Sequence, residues 1–244
     1  DQVEGRNSVL ELLESGKDVN KIFVTRGERH GSINKIIAMA KDRKIVVVEK
    51  DKKFMDEMAQ TTSYQGVIAV VPPFGYCEID DILDEAKKRN EPPFVIVLDN
   101  IEDPHNLGSI IRTAEAAGAH GVIIPKHRAA AVNSTVNKAS AGAASYMKVA
   151  RVTNISEAIK RLKDAGLWIC GTDVAADKYY YDQDLTGPIA IVIGNEGKGM
   201  GEKVKKNCDF LVKIPMNGKI QSLNASVSAG IVIYEVVKQR MAKS

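Results

Sequence analysis

DNIEDPHNLGSIIRTAEAAG, residues 99–118, continues directly from the apolar run FVIVL, and the reading of this junction decides what kind of sheet the chain builds. The run is apolar without alternation, which suits a strand covered on both faces. A polar elbow follows, and then a helix: Leu107, Ile110, Ile111, Ala114 and Gly118 recur at helical spacing as a buried stripe, with Asn106 as its expected N-cap. Strand, elbow and helix form the unit of an open α/β sheet, and such sheets bind ligands at the carboxyl ends of their strands. Arg112 lies off the stripe, one turn beyond Gly108. Helical side chains lean towards the N-terminus, so the guanidinium is expected to reach over the bare glycine towards the elbow, although Gly108 would equally serve close helix packing.

The unit repeats. From Phe94 the apolar segments FVIVLD, GVIIP, MKVA, LWICGTD, IAIVIG and FLVKIP alternate with helical stretches, which predicts an α/β domain with a mostly parallel sheet over 94–244. Its last segment, NASVSAGIVIYEVVKQRMAKS, reads as a packing helix with Val227, Ile231, Tyr234 and Val237 or Lys238 on the inner face. Upstream, SVLELLESG, KIFVT, SINKIIAMAKDR, KIVVVE, KKFMDEMAQ and YQGVIAVV alternate between helix and strand as a smaller α/β/α domain over 1–72. Pro72, Pro73 and Gly75 end it. A linker over 73–93 holds the charged helix EIDDILDEAKKRN, itself stopped by a second proline pair.

Composition narrows the class without naming an activity. The 244 residues are 44% hydrophobic and 27% charged, ordinary for a soluble protein, and the net charge of +3 permits polyanions without announcing them. Cys77, Cys170 and Cys208 are odd in number and lack CxxC spacing, so neither a disulfide framework nor a metal site is expected, and a reducing cytoplasm fits best. No apolar run is long enough to span a membrane, and no secretory leader is visible. The first residue is Asp1, which points to a start further upstream.

Familiar chemistries fall away in turn. The chain has no HExxH, no GxSxG and no early GxGxxG, and IVIGNEGKGMG lacks a Walker lysine because Met200 follows Gly199. What remains is three polar elbows at strand ends: DNIEDPHNLGS, GNEGKGMG and IPMNGKIQSLNAS. Each carries side chains that a turn does not need, which favours a ligand site over three coincidental capped turns. Two basic clusters, Arg26, Arg29 and His30 in TRGERHGS and Lys126, His127 and Arg128 in PKHR, read either as solvated charged loops or as a surface for the phosphates of a polyanion. No aromatic residue is interleaved with them, which favours phosphate contacts over base stacking.

DNIEDPHNLGSIIRTAEAAG, IVIGNEGKGM and IPMNGKIQSLNASVSAG closely resemble, in order and spacing, the three signature motifs of the SpoU (TrmH) family of RNA ribose 2′-O-methyltransferases in the SPOUT superfamily. The first domain, with VEGRNSVLELL and YQGVIAVV, resembles the L30e-like RNA-binding domain of the RlmB-like branch, whose substrate is a guanosine of large-subunit (23S) ribosomal RNA; related tRNA methyltransferases carry similar leaders. The resemblance implies a trefoil knot, which general topology rules would have rejected. It also implies a homodimer through the knot domain and a bent S-adenosylmethionine held mainly by backbone. The implied cofactor positions are Gly171, Thr172, Gly194, Asn195, Ile214, Met216, Ser222 and Leu223, and the implied catalytic set is Asn106, Arg112, Glu196, Ser222 and Asn224. Only Ala225 departs from the pattern, where a valine is common.

The family reaction passes a methyl group from a sulfonium to a ribose hydroxyl, and the matching arginine is assigned the hydroxyl proton. Guanidinium groups ordinarily stay protonated in proteins, so a charged clamp on the neighbouring phosphate is the alternative role. A non-catalytic RNA-binding relative and a nucleotide-binding metabolic enzyme are the competing classes. Intact Glu196, Ser222 and Asn224 weigh against the first, and the absent glycine fingerprint and Walker lysine against the second.

Overall fold

The computed structural model describes residues 2–17, 19–28, 31–71 and 74–243. The N-terminal part contains β1 (Gln2–Glu4), α1 (Arg6–Glu14), β2 (Lys21–Thr25), α2 (Ser32–Asp42), β3 (Val47–Lys50), α3 (Lys52–Met58) and β4 (Val67–Val70). These strands form one sheet in the order β1-β4-β2-β3. β1 was not anticipated, because three residues carry no periodicity; it pairs antiparallel with β4, placing Val3 opposite Ala69. Val9, Leu12 and Leu13 of α1 meet Ile33, Ile36 and Ala40 of α2 and Ile22 and Val24 of β2 in one apolar core. Glu4 is buried but satisfied, its carboxylate accepting from the Gln60 and Thr61 backbone N–H groups and the Thr61 hydroxyl.

The larger part begins with α4 (Ile79–Lys88) and continues through β5 (Phe94–Leu98), α5 (Pro104–Ala116), β6 (Gly121–Pro125), α6 (Ser134–Ala139), β7 (Val149–Val152), α7 (Ile155–Asp164), β8 (Trp168–Thr172), β9 (Lys178–Tyr179), β10 (Ile189–Ile193), α8 (Glu202–Asn207), β11 (Phe210–Lys213) and α9 (Ala225–Lys243). Its seven strands run in the order β7-β6-β5-β10-β8-β11-β9, and every pairing is parallel. α5 and α9 cover one face and α4, α7 and α8 the other, as the apolar clusters on alternate residues of β5 require: Phe94, Ile96 and Leu98 point to the first face, Val95 and Val97 to the second. α4 is therefore no free connector, since Ile82, Leu83 and Ala86 are buried in the second cluster.

Three local readings of the sequence change. Asp103, not Asn106, caps α5, its carboxylate accepting from His105 N, and Pro104 stands at the first helical position, where its missing N–H costs nothing. Asn106 is inside the helix and buried. Gly108 does not lie open beneath Arg112: a Cβ there would come within 2.5 Å of Ala139 Cβ and 2.8 Å of Val136 O, so the glycine exists to let α6 dock. The inner face of α9 is Ala225, Ala229, Val232, Ile233 and Val236, whereas Val227 and Tyr234, expected inside, are 50% and 49% exposed. α9 is apolar nearly all round, so periodicity could not say which side faced the sheet.

Candidate functional site

Two of the three elbows converge at the carboxyl ends of β8, β10 and β11. Residues from 172–174, 193–199, 213–216 and 221–228 line a single cleft of about 470 Å³. It holds Thr172, Gly194, Asn195, Ile214, Met216, Ser222 and Leu223 from the expected cofactor positions, together with Glu196. Gly171 lies behind it: a Cβ there would strike Cys208 Sγ at 2.7 Å, so this glycine lets β8 pack rather than facing the cleft. Gly194 is required by close approach too, because its Cβ would fall 2.4 Å from the backbone of Gly199. The 195–199 turn is stitched by the Asn195 side chain, which accepts from Gly197 N and Lys198 N and donates to Asn100 O in the first elbow.

At the mouth of the cleft three catalytic candidates meet. Asn106 Nδ2 donates to Glu196 Oε1 at 2.7 Å, Asn224 Nδ2 donates to Asn106 Oδ1 at 2.9 Å and to Glu196 Oε1 at 3.1 Å, and Ala225 N donates to Glu196 Oε1 at 3.0 Å. Residues 118 positions apart in the chain are thus brought into one hydrogen-bonded group. The backbone N–H of Ala225, at the start of α9, holds the Glu196 carboxyl below its usual range; burial opposes this, and Asn106 adds to it. Glu196 is accordingly an anion at neutral pH. Asn224 also caps α9, its Oδ1 accepting from Ser226 N and the Ser226 hydroxyl. Ser222 is exposed on the same loop.

Arg112 is not brought into this group. It is exposed, lies outside the cleft lining, and makes no hydrogen bond or ion pair among the described residues. Of the expected RNA contacts, Arg26 and Arg128 are exposed, as are Lys126 and His127, while Arg29 and His30 lie outside the described residues. Sequence reading missed Asp173, which enters the cleft wall beside Thr172 and pairs with Lys205 at 2.8 Å. Burial works against its ionisation, but Lys205 and the Ala175 N–H outweigh it and hold the carboxyl below its ordinary value. The signal available was its position at a strand end, in LWICGTD.

The cleft suits S-adenosylmethionine on two counts. Residues 216–223 form no backbone–backbone hydrogen bond among the described residues, and Met216, Gln221, Ser222 and Leu223 of this segment line the cavity, so backbone N–H and C=O groups there are available to read an adenine edge. Charges of both signs line it, Asp173 and Glu196 beside Lys198 and Lys213, which suits a sulfonium compound that also carries an ammonium and a carboxylate.

Known proteins share this fold. Residues 93–234 match the model of the SpoU rRNA Methylase family. The chain belongs to the SpoU (TrmH) family. Residues 2–77 match the model described as RNA 2′-O ribose methyltransferase substrate binding. A Bacillus subtilis protein, YacO, named for TrmH family tRNA/rRNA methyltransferases, is 46% identical over 98% of this chain and 96% of its own length. Among solved structures, the SpoU methyltransferase AviRb of Streptomyces viridochromogenes in complex with AdoMet is 27% identical, with a TM-score of 0.79 over 99% of this chain and 90% of that one. An AdoMet-bound rRNA methyltransferase from Sinorhizobium meliloti is 25% identical, with a TM-score of 0.78 over 97% and 86%. The fold is thus that of the SPOUT methyltransferases, with an N-terminal substrate-binding domain, and the SpoU-family chain is an RNA methyltransferase that uses S-adenosylmethionine. No helix among the described residues is long and apolar enough to cross a membrane.

Proposed function

We propose that this SpoU-family protein methylates a ribose 2′-hydroxyl of RNA, with a guanosine of 23S ribosomal RNA as substrate. The observation that carries the reading is the Asn106–Glu196–Asn224 group at the mouth of the cleft: a polar, ionised and preorganised site beside a cavity suited to the methyl donor. Bound cofactor supplies the electrophilic methyl group. The chain's own work is alignment: Glu196 and the two amides orient the acceptor nucleotide so that its hydroxyl faces the donor in line, which is where most of the rate is gained. The hydroxyl proton passes to solvent water, since the Glu196 carboxyl is held below its usual range and is a weak base.

The unspent fork of Arg112 fits the bidentate clamp on a phosphate flanking the target ribose. Since Arg112 stands outside the cleft of its own protomer, a dimer is the natural way to complete the site. The outward side of α9 supports one: Val227, Tyr234 and Met241, at 50%, 49% and 74% exposure, form a stripe with Ile231 at helical spacing. A second copy pressing its own α9 against this stripe would bury it. The cytoplasm, where RNA and thiols are both found, is the proposed compartment; all three cysteines are free.

The substrate is tested by incubating the protein with labelled S-adenosylmethionine and separately purified 23S rRNA and tRNA, then mapping the modified nucleotide. Label in a guanosine of 23S rRNA is expected. Label confined to tRNA would replace that substrate while leaving the chemistry, and no label in either would favour the non-catalytic RNA-binding reading.

A further inference from the structure

No apolar side chain anchors the turn that carries Glu196. Its sequence, NEGKG at 195–199, is polar throughout, and its residues are half-buried or exposed, so side-chain packing does not place it. An antiparallel bridge closes the turn on itself, with Gly199 N donating to Asn195 O at 2.8 Å and Asn195 N donating to Gly199 O at 3.2 Å. That bridge shapes the turn without tying it to the rest of the site.

The first elbow grips it at three points. Asn195 Nδ2 donates to Asn100 O at 3.3 Å at its start, Asn106 Nδ2 donates to Glu196 Oε1 at 2.7 Å within it, and Asp99 Oδ2 accepts from Gly201 N at 2.7 Å just past its end. The outer two contacts come from one dipeptide, Asp99–Asn100. Its backbone is itself pinned, since Asp99 N donates to Ile193 O at 2.9 Å and so carries the β5–β10 pairing one residue past Leu98. Asn100 stands at φ 59°, in the left-handed region that asparagine tolerates, and in that conformation its carbonyl meets Asn195. Asp99 is 8% exposed, and a carboxyl group is costly to bury unless its hydrogen bonds offset the lost water. Nor is it an ordinary helix cap. A cap accepts from the second or third N–H of its helix, whereas α8 begins at Glu202 and Asp99 takes the N–H of Gly201, 102 positions away in the chain and ahead of the helix.

We propose that Asp99 is a positioning residue: together with Asn100 it holds both ends of the 195–201 segment, and through that segment it sets the place of Glu196 and of the 194–199 wall of the cofactor cleft. Asp99 does not line the cleft and acts only through the turn. Its effect on cofactor binding stands on the family's use of S-adenosylmethionine, and its effect on the rate rests on the role proposed above for Glu196.

The test uses the full chain and calorimetry with S-adenosylmethionine and with its neutral-sulfur product, S-adenosylhomocysteine. Wild type is compared with Asp99→Ala, Asp99→Asn, Asn195→Ser and the Asp99→Ala/Asn195→Ser double variant, with melting temperatures and methylation rates at saturating cofactor measured in parallel. Asp99→Ala should weaken both ligands by the same factor, roughly tenfold, the size of one lost buried hydrogen bond. Asp99→Asn keeps an acceptor oxygen of the same reach and should recover most of that loss. The double variant should bind little worse than the weaker single one, because two clips on one turn are not independent. Loss confined to S-adenosylmethionine would assign Asp99 to attraction of the sulfonium charge and overturn the proposal. Strictly additive losses overturn it too, as does wild-type affinity in a folded Asp99→Ala. Should Asp99→Ala not fold, Asn195→Ser decides, and wild-type affinity in that variant overturns the proposal. A wild type that binds cofactor but transfers no methyl group would sink the role of Glu196, and the placing of the cleft wall would then stand or fall on the binding results.

Discussion

At the scale of single residues, Asn224 carries two duties that one substitution can separate. Its Oδ1 caps α9 and its Nδ2 joins Asn106 and Glu196. Asn224→Ser keeps a good cap but removes the amide donors, so methylation should fall at least tenfold while stability changes by less than about 0.5 kcal/mol. Asn224→Ala removes both and should cost about 1 kcal/mol in addition. Thermal melting beside single-turnover rates checks the pair; equal activity of the serine variant and wild type would reduce Asn224 to a cap. Arg112 divides differently. If it clamps a phosphate, Arg112→Lys keeps charge but loses the fork, and both rate and RNA affinity should drop at every pH. Recovery by lysine at high pH would instead make position 112 the base.

At the scale of elements, α5 and α6 approach closely at Gly108. Gly108→Ala should force the helices apart and cost about 1–3 kcal/mol by overpacking, with weaker methylation because Asn106 rides on the same helix. The α4–β5 connection carries a pH-dependent element. His120 Nδ1 accepts from Phe94 N at 2.9 Å and its Nε2 faces Glu91 at 2.8 Å, a geometry that needs the neutral ring. Burial pushes its pKa below 6.5, against the pull of Glu91. The folded state thus binds fewer protons than the unfolded chain, so this stability is present above about pH 6.5 and is lost as pH falls through the lowered folded value. Denaturant unfolding from pH 7.5 to 5 should show that slope in wild type and a flatter one in His120→Gln. The outward stripe of α9 makes another prediction: Tyr234→Glu should leave the fold intact and shift the protein to monomer in sedimentation, because a charge there cannot be buried against a second copy.

At the scale of the whole molecule, most of the architecture was legible and the reasons for the exceptions are physical. Continuous apolar runs such as FVIVL and IAIVI identified the parallel sheet because strands buried on both faces leave no alternative pattern. Strand order could not be read that way, since β10 pairs with β5 although 95 residues separate partners such as Ile189 and Phe94, and no local pattern records such pairings. The short β1 and β9 were invisible for want of length. The segments that line the cleft were legible through their motifs, but the cap of α5, the burial of Gly108 and the cleft residue Asp173 depended on what packs against each of them in space. If the exposed Arg26 and Arg128 contact phosphates, RNA affinity should fall steeply with salt.

The Asn106–Glu196–Asn224 group should direct a methyl group onto ribose rather than onto a base. The most direct measurement is to methylate purified rRNA with methyl-labelled S-adenosylmethionine, hydrolyse the product in alkali, and ask where the label travels. A 2′-O-methyl group blocks cleavage at its own nucleotide, so label is expected in alkali-resistant dinucleotides, greatly reduced with Glu196→Gln. Label released wholly as mononucleotides would contradict it.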